Sequence, residues 1–268
     1  MTALTGRARA SEEVTAPLPR LPFTLDNGIA PRARLGLIVL ATDHTIEHEW
    51  RRILADVPGV GLYESRILND ARITPETLAA MEGRLEDAAS VIMPGVPLEV
   101  VAFGCTSAAM VIGEERVAAR INAVRPEARV TTPITAAFAA FKALGARRLA
   151  VLTPYRDDVN ATMRRYVEAR GFAVPAFGTF GEEDDHKVAR ISEASIRDAA
   201  LALGRDPEAD AVFVACTSLR VAAVAAEVEA ALGKPVTSSN HAMAWHTLRL
   251  AGIDDALPRW GRLFAIPG

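Results

Sequence analysis

The chain has 268 residues, half of them hydrophobic and 24% charged, which suits one large or two modest globular domains and excludes wholesale disorder. Its formal net charge of −3 lacks the basic footprint of a nucleic-acid binder and gives an anionic membrane surface nothing to hold. Aromatic residues make up only 6%, which argues against base-stacking platforms.

Residues 1–34 read as a Pro-rich, aperiodic arm. Met1 to Pro22 contain no apolar run of the signal-peptide kind, and no stretch approaches the roughly 18 apolar residues of a membrane helix. A cytoplasmic location is expected, with Cys105 and Cys216, the chain's two cysteines, as free thiols. Structure starts at Leu35 to Leu40, a continuous apolar run suited to a strand buried on both faces. Further strands are predicted at Val60 to Tyr63, Glu99 to Phe103, Arg129 to Thr132 and Arg148 to Leu152. Phe172 to Phe177, Ala211 to Ala215 and Pro235 to Thr237 complete the set. Amphipathic helices are predicted between them, among others at Pro75 to Ser90, Ser107 to Val124 and Ser218 to Leu232. Strand alternating with helix is the pattern of parallel α/β architecture.

The pattern occurs twice. Glu99 to Ser107 matches Asp210 to Ser218, which sets Cys105 and Cys216 at equivalent places 111 residues apart. Arg34 to Thr42 matches Arg147 to Thr153, and Arg129-Val-Thr-Thr-Pro133 matches Pro235-Val-Thr-Ser-Ser239, in the same order. Two pseudo-symmetric parallel-sheet α/β domains with a cleft between them are therefore expected. The first would comprise 35–133 plus 237–268, and the second 134–236.

Each cysteine falls at a strand end, where open parallel sheets bind ligands. Thr106-Ser107 and Thr217-Ser218 suit helix N-caps, whose free N–H groups can hold a carboxylate. The same helix ends are expected to lower the thiol pKa from about 8.5 towards neutrality. A lone buried cysteine is most simply an inert core residue. The symmetric pair in Cys-Thr-Ser contexts weighs against that reading. No metal site is expected, because the two thiolates lack partners at chelating spacing. The strand-to-helix turns lack the glycine-rich phosphate patterns, so no nucleotide cofactor is expected either. His44 and His48, four apart, read as solvated or capping residues, and His241 and His246 as packing residues. Lys142, Arg147 and Arg148 suit a helix C-terminus.

Phe103-Gly-Cys-Thr-Ser107, Val151-Leu-Thr-Pro-Tyr155, Asp185-His-Lys-Val-Ala-Arg-Ile191, Val214-Ala-Cys-Thr-Ser218 and Thr237-Ser-Ser-Asn-His-Ala242 resemble the aspartate/glutamate racemase superfamily. The likeness is to its maleate cis–trans isomerase branch and the related ectoine-utilisation proteins, and it runs from about Leu35 to the C-terminus. It implies a cofactor-independent enzyme, commonly a homodimer, with Cys105 and Cys216 as the catalytic pair and Tyr155 as a substrate-binding tyrosine. Where that branch usually has two Asn residues, this chain places Asp43 and Asp185. Each replaces an amide that can donate to a carboxylate with an anion that cannot.

The sequence therefore points to an isomerase working next to a carboxylate of a small carboxylic or amino acid, as racemase, epimerase or cis–trans isomerase. The two aspartates tilt the reading towards an amino-bearing substrate, an ectoine-derived diamino acid being one such class. The expected substrate-binding set is Asp43, Thr106, Ser107, Tyr155, Asp185, Thr217 and Ser218. The rival readings are a malonate-type decarboxylase and a non-catalytic, two-lobed small-molecule-binding protein.

Overall fold

A computed structural model describes Leu18 and Arg20 through Pro267. Residues 1–17 and Pro19 of the expected arm lie outside the described residues, and the rest of it exposes Leu21, Phe23, Leu25 and Ile29.

Among the described residues the apolar runs form eight strands in two four-stranded parallel sheets. In the first, β1 (Ala33–Leu40) lies between β2 (Val60–Ile67) and β3 (Val100–Phe103), with β4 (Arg129–Thr131) outside β3. In the second, β5 (Arg148–Thr153) lies between β6 (Ala173–Thr179) and β7 (Ala211–Val214), with β8 (Val236–Ser238) outside β7. The orders β2-β1-β3-β4 and β6-β5-β7-β8 are one topology written twice, which is the structural form of the sequence repeat. All four residues of β3 and of β7 are buried, as strands with helices on both faces require.

The helices of the first half are α1 (Ile46–Leu54), α2 (Pro75–Ala79), α3 (Leu85–Ser90), α4 (Thr106–Ile112) and α5 (Glu114–Asn122). From the end of β4 onward come α6 (Pro133–Ala143), α7 (Asp157–Glu168), α8 (Asp185–Val188) and α9 (Glu193–Gly204). The last are α10 (Ala225–Leu232), α11 (Ser239–Leu250) and α12 (Arg262–Ala265). Helices α6 and α11 follow the equivalent strands β4 and β8 and pack on each other. Each starts on a hydroxyl cap: Thr132 accepts from Thr135 N and Ser238 from His241 N, both at 3.2 Å. Small residues let the pair approach: Ala136 and Ala140 of α6 share one core with Ala242 of α11. That core also holds Trp50, Trp245, Trp260 and Phe264, so the C-terminal segment is built onto the first sheet. A second core, around Phe141, Phe172 and Phe213, fills the other half.

Three expected helices are revised. Pro75 to Ser90 is two short helices joined by a 3₁₀ turn at Glu82–Arg84. Ser107 to Val124 breaks at Gly113, whose φ of 98° leaves the helical region. In Ser218 to Leu232 the helix begins only at Ala225, after a run of turns. Among the described residues no helix is long and apolar enough to cross a membrane.

Candidate active site

In a sheet of order 2-1-3-4 the connections leave the first and third strands in opposite directions, and a crevice opens at their carboxyl ends. Both sheets put their chemistry there. β1 leads into Thr42 and Asp43, β3 into Cys105, β5 into Tyr155 and β7 into Cys216. Cys105, Tyr155 and Cys216 converge on one cavity. Its lining mixes the Cys-Thr-Ser residues of both motifs, Tyr155 and Asp185 with polar Asn69, Asp70, Arg72 and Thr77 and apolar Leu40, Ile73, Leu78 and Met81.

Cys105 is itself the N-cap of α4, and Thr106 and Ser107 are the first helical residues. The expected caps thus move back by one position. The Sγ accepts from Ala108 N at 3.4 Å, while the amides of Thr106 and Ser107 have no partner one turn earlier in the helix. Gly104 is required just before it, because a Cβ there would lie 2.9 Å from Ile46 Cδ1 and 3.1 Å from the Ile38 carbonyl.

The second motif is not a copy of the first. No helix starts after Cys216, whose φ is 110°, a left-handed conformation that is an outlier for a residue with a side chain. The expectation of acidic thiols is overturned. Burial pushes Cys105 up to about 12, outweighing the donors Ala108 and Ser107, and the charges of Asp185 and Asp43 add to the rise. Cys216 is driven up further by burial and by Asp185. Burial thus favours the protonated thiol at both residues. Tyr155, 2% exposed, lies beside Ser107 and both sulfurs, and burial holds its hydroxyl well above the usual tyrosine value.

The two aspartates divide. Asp185 stands in the cavity wall, where Thr42 Oγ1 donates to one oxygen at 2.5 Å and Ser218 Oγ to the other at 2.6 Å. Asp43 is not in the wall, which corrects its assignment to direct substrate contact. Its Oδ1 accepts from Thr45 N (2.6 Å) and Ile46 N (2.9 Å) at the start of α1, and its buried Oδ2 has no partner. Burial raises it to about 6 despite those amides. Among the described residues lining the cavity, Arg72 is the one cation, and its guanidinium reaches Glu183 at 3.6 Å. Arg72 also bridges to Asp184, and Asp185 N donates to the Ala71 carbonyl at 3.3 Å, so the 69–73 loop is stitched to α8 of the other half.

Sequence reasoning missed Thr42, which holds Asp185 of the other half, and Asn69 and Arg72, which line the cavity. It also missed Glu49, a charged residue of an amphipathic helix that is nonetheless 3% exposed. Of the histidines, His44 meets His186 of the other half at 2.8 Å. His241 is a buried packing residue bonded to Thr237 Oγ1 and the Trp260 carbonyl, with burial pushing it down to about 4. Among the described residues no group of three His, Cys, Asp or Glu is placed to hold a metal.

The chain is 29% identical to a maleate isomerase of Nocardia farcinica over 239 residues, covering 86% of this chain and 94% of that protein. It is 30% identical to an arylmalonate decarboxylase of Bordetella bronchiseptica, again over 239 residues, covering 86% and 95%. Among solved structures, a Cys-to-Ser mutant of the Nocardia farcinica maleate cis–trans isomerase, bearing a covalently bound succinylcysteine intermediate, superimposes with a TM-score of 0.81. That match is 28% identical and covers 87% of this chain and 98% of that one. The family model for arylmalonate decarboxylase matches residues 35–264, from β1 to α12. Two sheets of one topology, a cysteine at the switch point of each and this match across nearly the whole described chain place the protein in the arylmalonate decarboxylase family.

Proposed function

We propose that the protein is a cofactor-independent, two-cysteine isomerase that inverts a carbon next to the carboxylate of a small amino acid. The observation that carries this reading is the pair of buried thiols at one cavity, one from each half, with the buried carboxylate of Asp185 in the same wall. The free amides of Thr106 and Ser107 take the substrate carboxylate, whose charge needs N–H donors that cost no reorganisation. Asp185, an acceptor with no cation among its hydrogen-bond partners, takes the substrate ammonium. One sulfur, as thiolate, removes the proton from the α-carbon, and the opposite thiol delivers its proton to the other face. The carbon is inverted, one sulfur has gained a proton and the other has lost one. Burial and the Asp185 charge both raise the thiols, and a bound substrate ammonium would offset the second of these.

A second reading has a specific observation behind it. The Nocardia farcinica isomerase carries a succinylcysteine intermediate. By the same chemistry a thiolate here would add to a carbon–carbon double bond, the adduct would turn about the single bond, and elimination would give the trans product. Asp185 disfavours a dicarboxylate in that role, since a second carboxylate would face an anion. One proton NMR screen in deuterated water, over small amino acids, unsaturated dicarboxylates and substituted malonates, separates the outcomes. Loss of the α-proton signal with inversion of an amino acid supports the proposal. Maleate conversion establishes the second reading, and carbon dioxide release from a malonate overturns both.

A further inference from the structure

Cys216 has a φ of 110°, and a left-handed residue with a side chain persists only where its surroundings hold it. The holding contacts come from the start of α11 and from α1. Ser239 Oγ accepts from Cys216 N at 3.0 Å and from Thr106 Oγ1 at 2.8 Å, so one hydroxyl joins the two Cys-Thr-Ser motifs. Asn240 Nδ2 donates to the Thr217 carbonyl at 2.7 Å and to Glu49 Oε2 at 2.8 Å. An amide oxygen in that place would face two acceptors, so the orientation of the Asn240 amide is fixed. Glu49 is anchored in turn. Its Oε1 accepts from Val221 N at 2.7 Å and from Ala222 N at 2.6 Å, on the far side of the same turn. Glu49 is 3% exposed, and Ser239 and Asn240 are fully buried. None of the three lines the cavity.

We infer that Glu49 and Asn240 are positioning residues for the second cysteine: their side chains grip the 217–222 turn at both ends and hold Cys216 left-handed, with its thiol at the cavity. The first cysteine needs no such device, because Cys105 has the ordinary extended conformation of a helix N-cap, φ −144° and ψ 113°. The asymmetry gives the inference its signature. Loss of the grip is felt at Cys216 and spares Cys105. The importance of Cys216 for turnover rests on the proposed function, but its geometry can be read without any substrate.

The experiment is alkylation by iodoacetamide at several pH values, with the two cysteines followed separately by peptide mass spectrometry, in the native chain and in Asn240→Ala. Relaxation of the turn releases the left-handed Cys216 and moves its thiol off the cavity wall, where the reagent reaches it, so Cys216 alkylation slows by about fivefold or more. Cys105 stays within about twofold, a difference too small for a changed thiolate fraction of one pKa unit. Equal slowing at both cysteines would mean general loosening and would overturn the inference, as would no change at Cys216. Should Asn240→Ala fail to fold, the nearly isosteric Glu49→Gln keeps an acceptor for Val221 and Ala222 and loses the one facing Asn240. It is expected to give the same selective slowing, and parity between the two cysteines there would be equally fatal. Once a substrate is known, Asn240→Ala lowers kcat with KM little changed. A protein with no detectable turnover leaves the alkylation result standing on its own.

Discussion

Asp185→Asn tests the electrostatics of the site in two opposite directions at once. The substitution preserves shape and leaves Thr42 and Ser218 with partners, because one oxygen still accepts and a hydroxyl can turn to accept from the new amide. What it removes is a charge that is 3% exposed. A substrate ammonium about 4 Å from that carboxylate gains at most about 4 kcal/mol at an effective dielectric near 20, and a carboxylate there loses as much. Those 4 kcal/mol correspond to roughly a thousandfold in affinity, an upper figure for a cavity that opens to water. The variant is therefore expected to bind amino acids more weakly and maleate or succinate more tightly than the native protein, as read by calorimetric titration. Asp185 also raises both thiols, and it stands higher among the causes for Cys216 than for Cys105. Removing it should speed alkylation of Cys216 by about tenfold, one pKa unit, with a smaller gain at Cys105. Unchanged dicarboxylate affinity together with unchanged Cys216 reactivity would refute the placement of this charge at the ligand.

Cys105→Ser and Cys216→Ser are each expected to lose about 10²-fold to 10⁴-fold in turnover with little change in melting temperature, since serine is nearly isosteric but far less acidic; near-native kcat in either would contradict the two-sulfur mechanism. Glu49, raised by burial to about 7 from its usual 4.5, keeps its proton in the folded chain where the unfolded chain has lost it. Stability is therefore greatest below about pH 4.5 as far as this group is concerned, and it falls by up to about 3 kcal/mol as pH rises to about 7. Asp43 adds a fall of the same sign between its usual 3.8 and about 6. Urea midpoints at pH 5 and pH 8 measure the slope, which Glu49→Gln should flatten. Gly104→Ala, which drives a Cβ to within 2.9 Å of Ile46 Cδ1 and 3.1 Å of a backbone oxygen, should destabilise the fold by about 1–3 kcal/mol, and a neutral result would mean that the Cys105 loop yields easily.

The strands were legible because parallel strands buried on both faces are written as unbroken apolar runs, and the repeat was legible because both halves keep the Cys-Thr-Ser turn. Helix ends were less so. Gly113 punctuates one amphipathic stretch openly, but nothing in Ser218 to Val224 announces that those residues form turns held by Glu49 and Asn240. The thiol pKa values were misjudged for a related reason. A helix N-terminus can be read from capping residues, whereas complete burial beside two carboxylates is a tertiary property. Asp43 and Asp185 were singled out together by the resemblance, at positions where the isomerase branch usually has Asn. Only the fold shows that one faces the cavity while the other caps α1. Glu49 did carry a signal: it sits three residues after Ile46 and four before Ile53, on the apolar stripe of α1, where a charged residue has to be buried with partners.

In the proposed mechanism two sulfurs serve opposite faces of one substrate carbon. The most direct test is α-proton exchange with deuterated water in the single variants Cys105→Ser and Cys216→Ser, each offered both enantiomers of the substrate that the native protein inverts. A thiol left without its counterpart can still remove and return a proton on its own face. Each variant is expected to exchange one enantiomer without inverting it, and the two variants to choose opposite enantiomers. Exchange of the same enantiomer by both variants, or continued inversion by either, would contradict that mechanism.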